Sequence, residues 1–393
     1  MEVKIPEIPN TPEQIVAHLG DDYERFEGAV VPPIFGNSLF VHPTFESFLQ
    51  AMGDEHNHFL YSRGQNPTVD IVERKIAALE GGERCKLFAS GMAAISSGIL
   101  ANVSAGDHVL CVGNIYGPTQ KFLAYLDKFQ VQYSMVVTAD LNEVERALLP
   151  NTRVIYLESP STMTFQIADM AAIVQLAKAR GIVTMIDNTW ATPLFQHPLE
   201  IGIDIVLHSA SKYLGGHSDL IGGALIASSE MMERIFYREY QLLGGIMPPY
   251  EAWLLMRGLR TLPIRMKAHQ SSALKIAKML EDMPGVVQVN HPGLPSHPQY
   301  ELGRRQLKGY SGLFSFNLKN NRFEHVARVI NRFKLFRIGV SWGGYESLVL
   351  SPNHGHNVEQ LVRSGIDPGC IRIAVGLEDA DALMEDVAQA LNM

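Results

Sequence analysis

The chain has 393 residues, 46% of them hydrophobic and 19% charged, and carries a formal net charge of −8. This suits a globular protein with a sizeable core and argues against nucleic-acid binding, which needs a basic face. Three scattered cysteines (Cys85, Cys111 and Cys370) match no metal-ligand spacing and read as reduced thiols of a cytoplasmic protein; no apolar run is long enough to cross a membrane, and Met1–Glu7 holds no signal-peptide core.

Residues 1–60 are rich in proline and dotted with aromatics from Phe35 to Phe48, so they read as an extended arm that must pack on something else. Tyr61-Ser62-Arg63-Gly64-Gln65-Asn66-Pro67 is a polar turn before a helix over 69–80, with Thr68 as its expected N-cap. A strand over 86–89 is followed by Ser90-Gly91-Met92 and a helix to about Val103. A strand, a Ser-Gly turn and a helix start make an anion site from free backbone N–H groups.

The alternation continues. Strands are expected over 107–112, 131–137 and 152–157, and helices over 119–129, 141–149 and 169–180. Tyr116 lies in a Gly-Pro loop after the first of these strands, and Glu158-Ser159-Pro160 ends the third. Strands alternating with helices predict a mostly parallel, doubly wound α/β sheet.

The stretch from Ile182 to Gly223 is the most informative. One apolar run ends in Asp187; a second, Ile203 to Leu207, ends in His208-Ser209-Ala210-Ser211-Lys212 and leads into Gly215-Gly216-His217-Ser218-Asp219. Two buried strands thus carry an acid and a lysine to sheet ends, where open α/β sheets bind ligands. An acid, a lysine and flanking hydroxyls suit pyridoxal phosphate: the lysine bonds the cofactor, the acid holds its ring nitrogen protonated, and hydroxyls with amides take the phosphate.

Beyond a short strand over 223–227 and a helix over 230–243, Pro248-Pro249 breaks the chain, and a boundary is expected near residue 258. Residues 259–393 then read as a smaller α+β unit, with strands over 286–289 and 313–318 and helices over 323–333 and 379–391. Within it lie the loop Val340-Ser341-Trp342-Gly343-Gly344-Tyr345-Glu346-Ser347-Leu348 and a strand over 370–378 with one arginine, Arg372, inside an apolar alternation. Such a charge is edge-exposed, paired within the chain, or available to a ligand carboxylate.

Ser209-Ala210-Ser211-Lys212-Tyr213 with Gly216-His217-Ser218-Asp219 resembles the lysine signature of the Cys/Met-metabolism (trans-sulfuration) family of pyridoxal-phosphate enzymes. The resemblance covers most of the chain and implies a fold-type I, transferase-like architecture. It implies that Lys212 carries the cofactor, that Asp187 faces its ring nitrogen, and that Tyr116 stacks on its ring and assists proton transfer. By the same resemblance Gly91, Met92, Ser209 and Ser211 hold the phosphate, helped by Tyr61 and Arg63 of a neighbouring subunit. Ser341 and Arg372 bind substrate, with Arg372 on its carboxylate. The implied assembly is a homotetramer of dimers with shared sites; the arm (1–60) reaches across the interface, 61–258 bind cofactor, and 259–393 form the C-terminal unit.

Two departures and two similarities bear on the reaction. Thr162 stands where many γ-acting members carry asparagine, and Val340 where several carry glutamate. Trp190 and the Ser-Trp-Gly-Gly-Tyr-Glu-Ser segment are similar to bacterial cystathionine β-lyases. The expected activity is therefore carbon–sulfur β-elimination on L-cystathionine or a related cysteine S-conjugate, with γ-acting chemistry as the alternative. A non-catalytic pyridoxal-phosphate regulator would carry an added DNA-binding module, for which this acidic chain has no room. A nicotinamide enzyme would carry GxGxxG after its first strand, which is not found. No metal, membrane or nucleic-acid partner is expected.

Overall fold

In the computed structural model, residues 11–392 are described; the first ten residues of the expected arm lie outside them. Seven short strands build the larger sheet: β1 (Arg84–Phe88), β2 (His108–Val112), β3 (Gln132–Val136), β4 (Thr152–Glu158), β5 (Val183–Asp187), β6 (Ile205–Ser209) and β7 (Gly223–Ala227). Their order is β1-β7-β6-β5-β4-β2-β3. All neighbours are parallel except β7, which runs antiparallel to both β1 and β6. Strands buried on both faces read as continuous apolar runs, and β2 and β7 are buried at every position. Helices cover both faces. One apolar layer contains Leu110, Ile155 and Ile186, and the opposite layer contains Val109, Val154 and Met185, the alternate residues of the same strands.

The helix Pro67–Glu80 shows how local sequence sets these boundaries. Its N-cap is Asn66, not the expected Thr68: the Asn66 side chain accepts from the Thr68 N–H at 3.0 Å and Pro67 occupies the first helical position. Thr68 is buried and ties down the arm instead, accepting the Phe35 N–H at 2.9 Å and donating to the Pro33 carbonyl at 3.0 Å. Proline at the first helical position fixes the register, since its missing N–H would be unpaired there in any case.

The described part of the arm is anchored at its base. Helix Pro12–His18 buries Ile15 and Val16, and Asp21 lies 3.3 Å from the buried Lys75 and 3.1 Å from Arg260. Further along it presents large apolar side chains to solvent, with Val41 88% and Phe45 68% exposed.

A second sheet holds β8 (Val286–Asn290), β9 (Leu313–Leu318), β10 (Arg337–Ile338), β11 (Leu348–Leu350) and β12 (Cys370–Ala374), in the order β10-β11-β12-β9-β8. The sequence reading lacked β10 and β11, which are too short to show alternation. The strand expected over 370–378 is shorter and ends at Ala374. A small apolar cluster joins the two sheets: Phe165 and Trp190, from the loops after β4 and β5, meet Leu313 and Ala374 of the smaller sheet, and the Trp190 indole N–H donates to the Leu313 carbonyl at 2.8 Å.

Candidate active site

The carboxyl ends of β4, β5 and β6 lie side by side, which brings Glu158, Asp187 and Ser209 to one rim. In the parallel register Glu158 is directly opposite Asp187, and directly opposed side chains share a face. Thr189 fixes Asp187: both its N–H and its hydroxyl donate to Asp187 Oδ1, and its oxygen accepts the Ser209 N–H at 2.8 Å. Burial pushes the Asp187 carboxyl up, opposed by the Thr189 hydrogen bonds and by the nearby His208 and Lys212.

After β6 the chain turns tightly. The Lys212 N–H donates to the Ser209 carbonyl at 3.1 Å, and the Gly216 N–H to the Lys212 carbonyl at 2.8 Å. Ala210, Tyr213 and Leu214 point into the core, leaving Lys212 partly exposed at the rim. Burial lowers the Lys212 ammonium pKa, against the pull of Asp187 and with help from Arg372. Neutral amine is thus populated closer to neutrality than for a solvated lysine.

The Ser90–Met92 segment follows β1 and opens the helix Gly91–Leu100, with Ser90 as N-cap. It lies against β6 and β7. A Cβ on Gly91 would sit 3.0 Å from Ser209 Cβ, and one on Gly223 would sit 2.2 Å from the Ser90 carbonyl oxygen. Glycine at 223 is therefore required for the close approach. Among the described residues the Gly91 and Met92 N–H groups at this helix start have no acceptor, and beside the Ser209 hydroxyl they form an anion cradle. The Ser211 hydroxyl is engaged by Gly222, accepting its N–H at 2.9 Å and donating to its carbonyl at 3.3 Å. Met92 turns its sulfur toward the Thr119 hydroxyl, 3.9 Å away.

The second sheet closes the other side. The Arg372 guanidinium donates to the Ser341 carbonyl at 3.1 Å, and burial lowers the Arg372 pKa to about 10. Ser341 has φ +78°, a left-handed conformation that a serine adopts only when held. The next residue, Trp342, places its ring 5.8 Å from Lys212 Nζ and 5.4 Å from the Tyr213 ring. Gly343 permits this contact, since a Cβ there would lie 2.8 Å from the Tyr213 nitrogen.

Tyr116 is 46% exposed, and its hydroxyl pKa is raised by burial and by the Asp187 and Glu158 carboxyls, so the phenol keeps its proton at neutral pH. The sequence reading left Glu158 without a role. It accepts the Tyr116 N–H at 2.6 Å, and Thr162 also donates to it. Burial, reinforced by Asp187, pushes its carboxyl well above the usual range. An acid closing a strand was the available signal, as for Asp187. Beneath the rim, the fully buried His208 and Glu80 lie 3.3 Å apart, and Asn188 donates to the same carboxyl at 2.8 Å.

Tyr61 and Arg63 are not drawn into this group. Both are exposed at the end of the arm, with the Arg63 guanidinium 5.7 Å from the Tyr61 ring. Among the described residues neither makes a hydrogen bond or ion pair to the residues around Lys212.

The arrangement can hold an anion, position an amine of lowered pKa beside a buried acid, and bind a carboxylate at Arg372. Residues 13–392 match the family model for Cys/Met metabolism PLP-dependent enzymes. The chain is 39% identical over 380 residues to an L-methionine gamma-lyase of Pseudomonas putida, covering 95% of each. It is 38% identical over 385 residues to a cystathionine beta-lyase of Coxiella burnetii, covering 96% of each. The solved structure of metB from Corynebacterium glutamicum superposes with a TM-score of 0.90 at 32% identity, over 97% of this chain and 98% of that one. The chain therefore belongs to the Cys/Met metabolism family of pyridoxal-phosphate-dependent enzymes.

Proposed function

We propose that the protein is a carbon–sulfur β-lyase that cleaves L-cystathionine, or a related cysteine S-conjugate, to a thiol such as homocysteine, pyruvate and ammonia. The residues around Lys212 fit the family's cofactor: a buried acid held by Thr189, an amine of lowered pKa, and an anion cradle at Ser90–Met92 beside Ser209. Lys212 would bond the cofactor, Asp187 would face its ring nitrogen, Tyr116 would lie along its ring, and Gly91, Met92, Ser209 and Ser211 would surround its phosphate. When bound, pyridoxal phosphate supplies the electron sink that makes the α-proton of an amino acid acidic.

The chain's own residues do the rest. Arg372 takes the substrate carboxylate, with the Ser341 carbonyl already holding one of its N–H groups. Lys212 would accept the α-proton once the substrate's amine has replaced it on the cofactor and released it as a neutral amine. The Cβ–S bond breaks with its electron pair on sulfur, and the leaving thiolate takes a proton. Tyr116 is suited to donate there because its phenol stays protonated. The three-carbon remainder takes up water and yields pyruvate and ammonia.

The observation that carries the β-reading is the Trp342 ring, 5.8 Å from Lys212 Nζ. A γ-elimination needs a second proton removed at Cβ, so its base must work at two positions. An indole packed beside the lysine and against Tyr213 restricts that movement. Val340, 83% exposed, offers no carboxylate nearby. The γ-reading is the second choice, favoured by the 39% identity to a methionine gamma-lyase.

The same reading has the protein assemble in the cytoplasm as a homotetramer of dimers. The exposed apolar arm supports a subunit interface, from which Tyr61 and Arg63 reach the partner's phosphate site. It also divides the chain near residue 258 into a cofactor-binding unit and a C-terminal unit; the change from the seven-stranded to the five-stranded sheet supports that division.

Product identification tests the activity. Purified, cofactor-loaded protein is given L-cystathionine alone and its products are identified by mass spectrometry. Pyruvate with homocysteine is expected; 2-oxobutyrate with cysteine would replace this reading with the γ-lyase.

A further inference from the structure

One buried lysine has no part in the chemistry proposed above. Lys86 lies in β1 with its side chain 2% exposed, against Glu73 of the helix Pro67–Glu80, whose side chain is 6% exposed. Its ammonium carries three N–H donors and meets three acceptors: Glu73 Oε2 at 3.0 Å, Gln65 Oε1 at 2.9 Å and the Gly64 carbonyl at 3.4 Å. The other Glu73 oxygen accepts the Leu87 N–H at 3.0 Å. Two of the three acceptors thus belong to the turn that carries Tyr61 and Arg63.

Stability does not account for a charge at this position. The ammonium lies 5.2 Å from the Phe236 ring and 5.2 Å from the Tyr240 ring, so an apolar side chain would pack there. Replacing a buried ion pair by apolar residues is often neutral or stabilising, because both charges must be stripped of water. What the lysine adds is direction, since an apolar side chain makes no bond to Gly64 or Gln65.

The turn is held on its inner side and open on its outer side. Gly64, Gln65 and Asn66 are buried, whereas Tyr61 and Arg63 are exposed. The Gln65 carboxamide is held at both ends, because its nitrogen donates to the His56 carbonyl. The Gly64 and Gln65 N–H groups donate to the Tyr61 carbonyl at 2.9 and 3.1 Å, which ties the buried half of the turn to the exposed half. A Cβ on Gly64 would lie 2.5 Å from Glu55 Oε1 and 2.9 Å from Gln241 Nε2, so that side of the turn is filled as well.

We infer that Lys86 is a positioning residue: its ammonium grips Gly64 and Gln65, and so sets where Arg63 stands for the phosphate of a cofactor bound in the partner subunit. This rests on the reading that Arg63 serves the partner's site.

The test is cofactor affinity, read from the visible band as the cofactor-free protein is titrated. Lys86→Met alone would strand the Glu73 carboxylate, whose burial already pushes its pKa up, so it is combined with Glu73→Gln. Gln65→Leu removes one acceptor and leaves the ion pair in place. Both variants should bind pyridoxal phosphate at least about tenfold more weakly, as should Arg63→Ala. All three should bind pyridoxal, which lacks the phosphate, within about twofold of the unsubstituted protein. Unchanged affinity for pyridoxal phosphate in the Lys86 and Gln65 variants overturns the inference. Equal weakening for both ligands also overturns it, because a loosened fold does not distinguish them. Weakening by Arg63→Ala without weakening by the other two removes this inference alone; no weakening by Arg63→Ala removes the reading on which it rests as well.

Mixed chains locate the effect. Lys86→Met/Glu73→Gln chains are co-refolded with an equal amount of Lys212→Ala chains, whose own sites give no visible band. About half of the band should then titrate with the unsubstituted affinity, because half of the Lys212 sites meet an unaltered turn from a partner. A band that titrates wholly with the weakened affinity, in hybrids verified by mass spectrometry, places Lys86 in its own chain's site and overturns the inference.

Discussion

The carboxyl of Glu158 accepts the backbone N–H of Tyr116 at 2.6 Å, so a buried acid at the end of β4 positions a ring that is itself half exposed. Glu158→Ala removes that acceptor, and displacement of a reacting group by about 1 Å can cost roughly a hundredfold in rate. The expected outcome is a fall in kcat of that order with the cofactor band intact. Glu158→Gln keeps an acceptor at the same place and should lose no more than about tenfold. Equal kcat for Glu158→Ala and the unsubstituted protein would show that Tyr116 is held by something else.

The same carboxyl predicts a pH dependence of folding. Its folded-state pKa lies well above the ordinary carboxylate value because burial and Asp187 penalise its charge. Between the ordinary value of about 4.3 and the raised one, the folded state binds more protons than the unfolded state. Stability of the cofactor-free protein therefore carries the full Glu158 contribution below the ordinary value and loses it as pH climbs through the raised one. Urea midpoints measured across that window should decline less steeply in Glu158→Gln. An identical slope in both proteins would rule Glu158 out as its source.

Lys212→Ala should lose both the visible band of lysine-bound cofactor and turnover, while its thermal unfolding stays cooperative. Turnover retained by this variant would contradict the assignment of Lys212 as cofactor carrier and base.

Arg372 is expected to act through substrate binding. A charge-assisted hydrogen bond is worth about 1.5–3 kcal/mol, so Arg372→Ala should lower kcat/KM roughly ten- to hundredfold, mainly through KM. Arg372→Lys keeps the charge without the planar fork and should recover only part of that loss. Steady-state kinetics on both variants decides; an unchanged KM in Arg372→Ala would place the substrate carboxylate elsewhere.

Shared sites make a prediction about mixtures. If Arg63 serves the partner's site, a hybrid dimer of Arg63→Ala and Lys212→Ala chains contains one site with both defects and one intact site. Co-refolded equal amounts should recover about a quarter of full turnover, although each variant alone is inactive or nearly so. No recovery in hybrids verified by mass spectrometry would place Arg63 in its own chain's site.

The βα alternation was legible because strands buried on both faces are continuous apolar runs, and Asp187 and Lys212 could be paired because both follow such runs. Thr68 was misread as a cap because the cap reading rests on residue type alone, and Asn66 with Pro67 competes for the same end of the helix. The antiparallel direction of β7 was not legible, since a five-residue apolar run carries no sign of its direction.

By itself the sequence determined the periodicities, the capping and turn residues, and the linear order of the acid, the lysine and the arginine. These are local properties, set by side-chain pattern and backbone preference within a few residues. Long-range packing alone sets Glu158 opposite Asp187, Trp342 beside Lys212 across 130 positions of chain, and Gln288, Asn290 and Asn317 of β8 and β9 along one cavity with Met163, Thr164 and Gln166. Strand register and the docking of one sheet on another arise from contacts between residues far apart in the chain, and no local pattern encodes which distant partner a residue will meet.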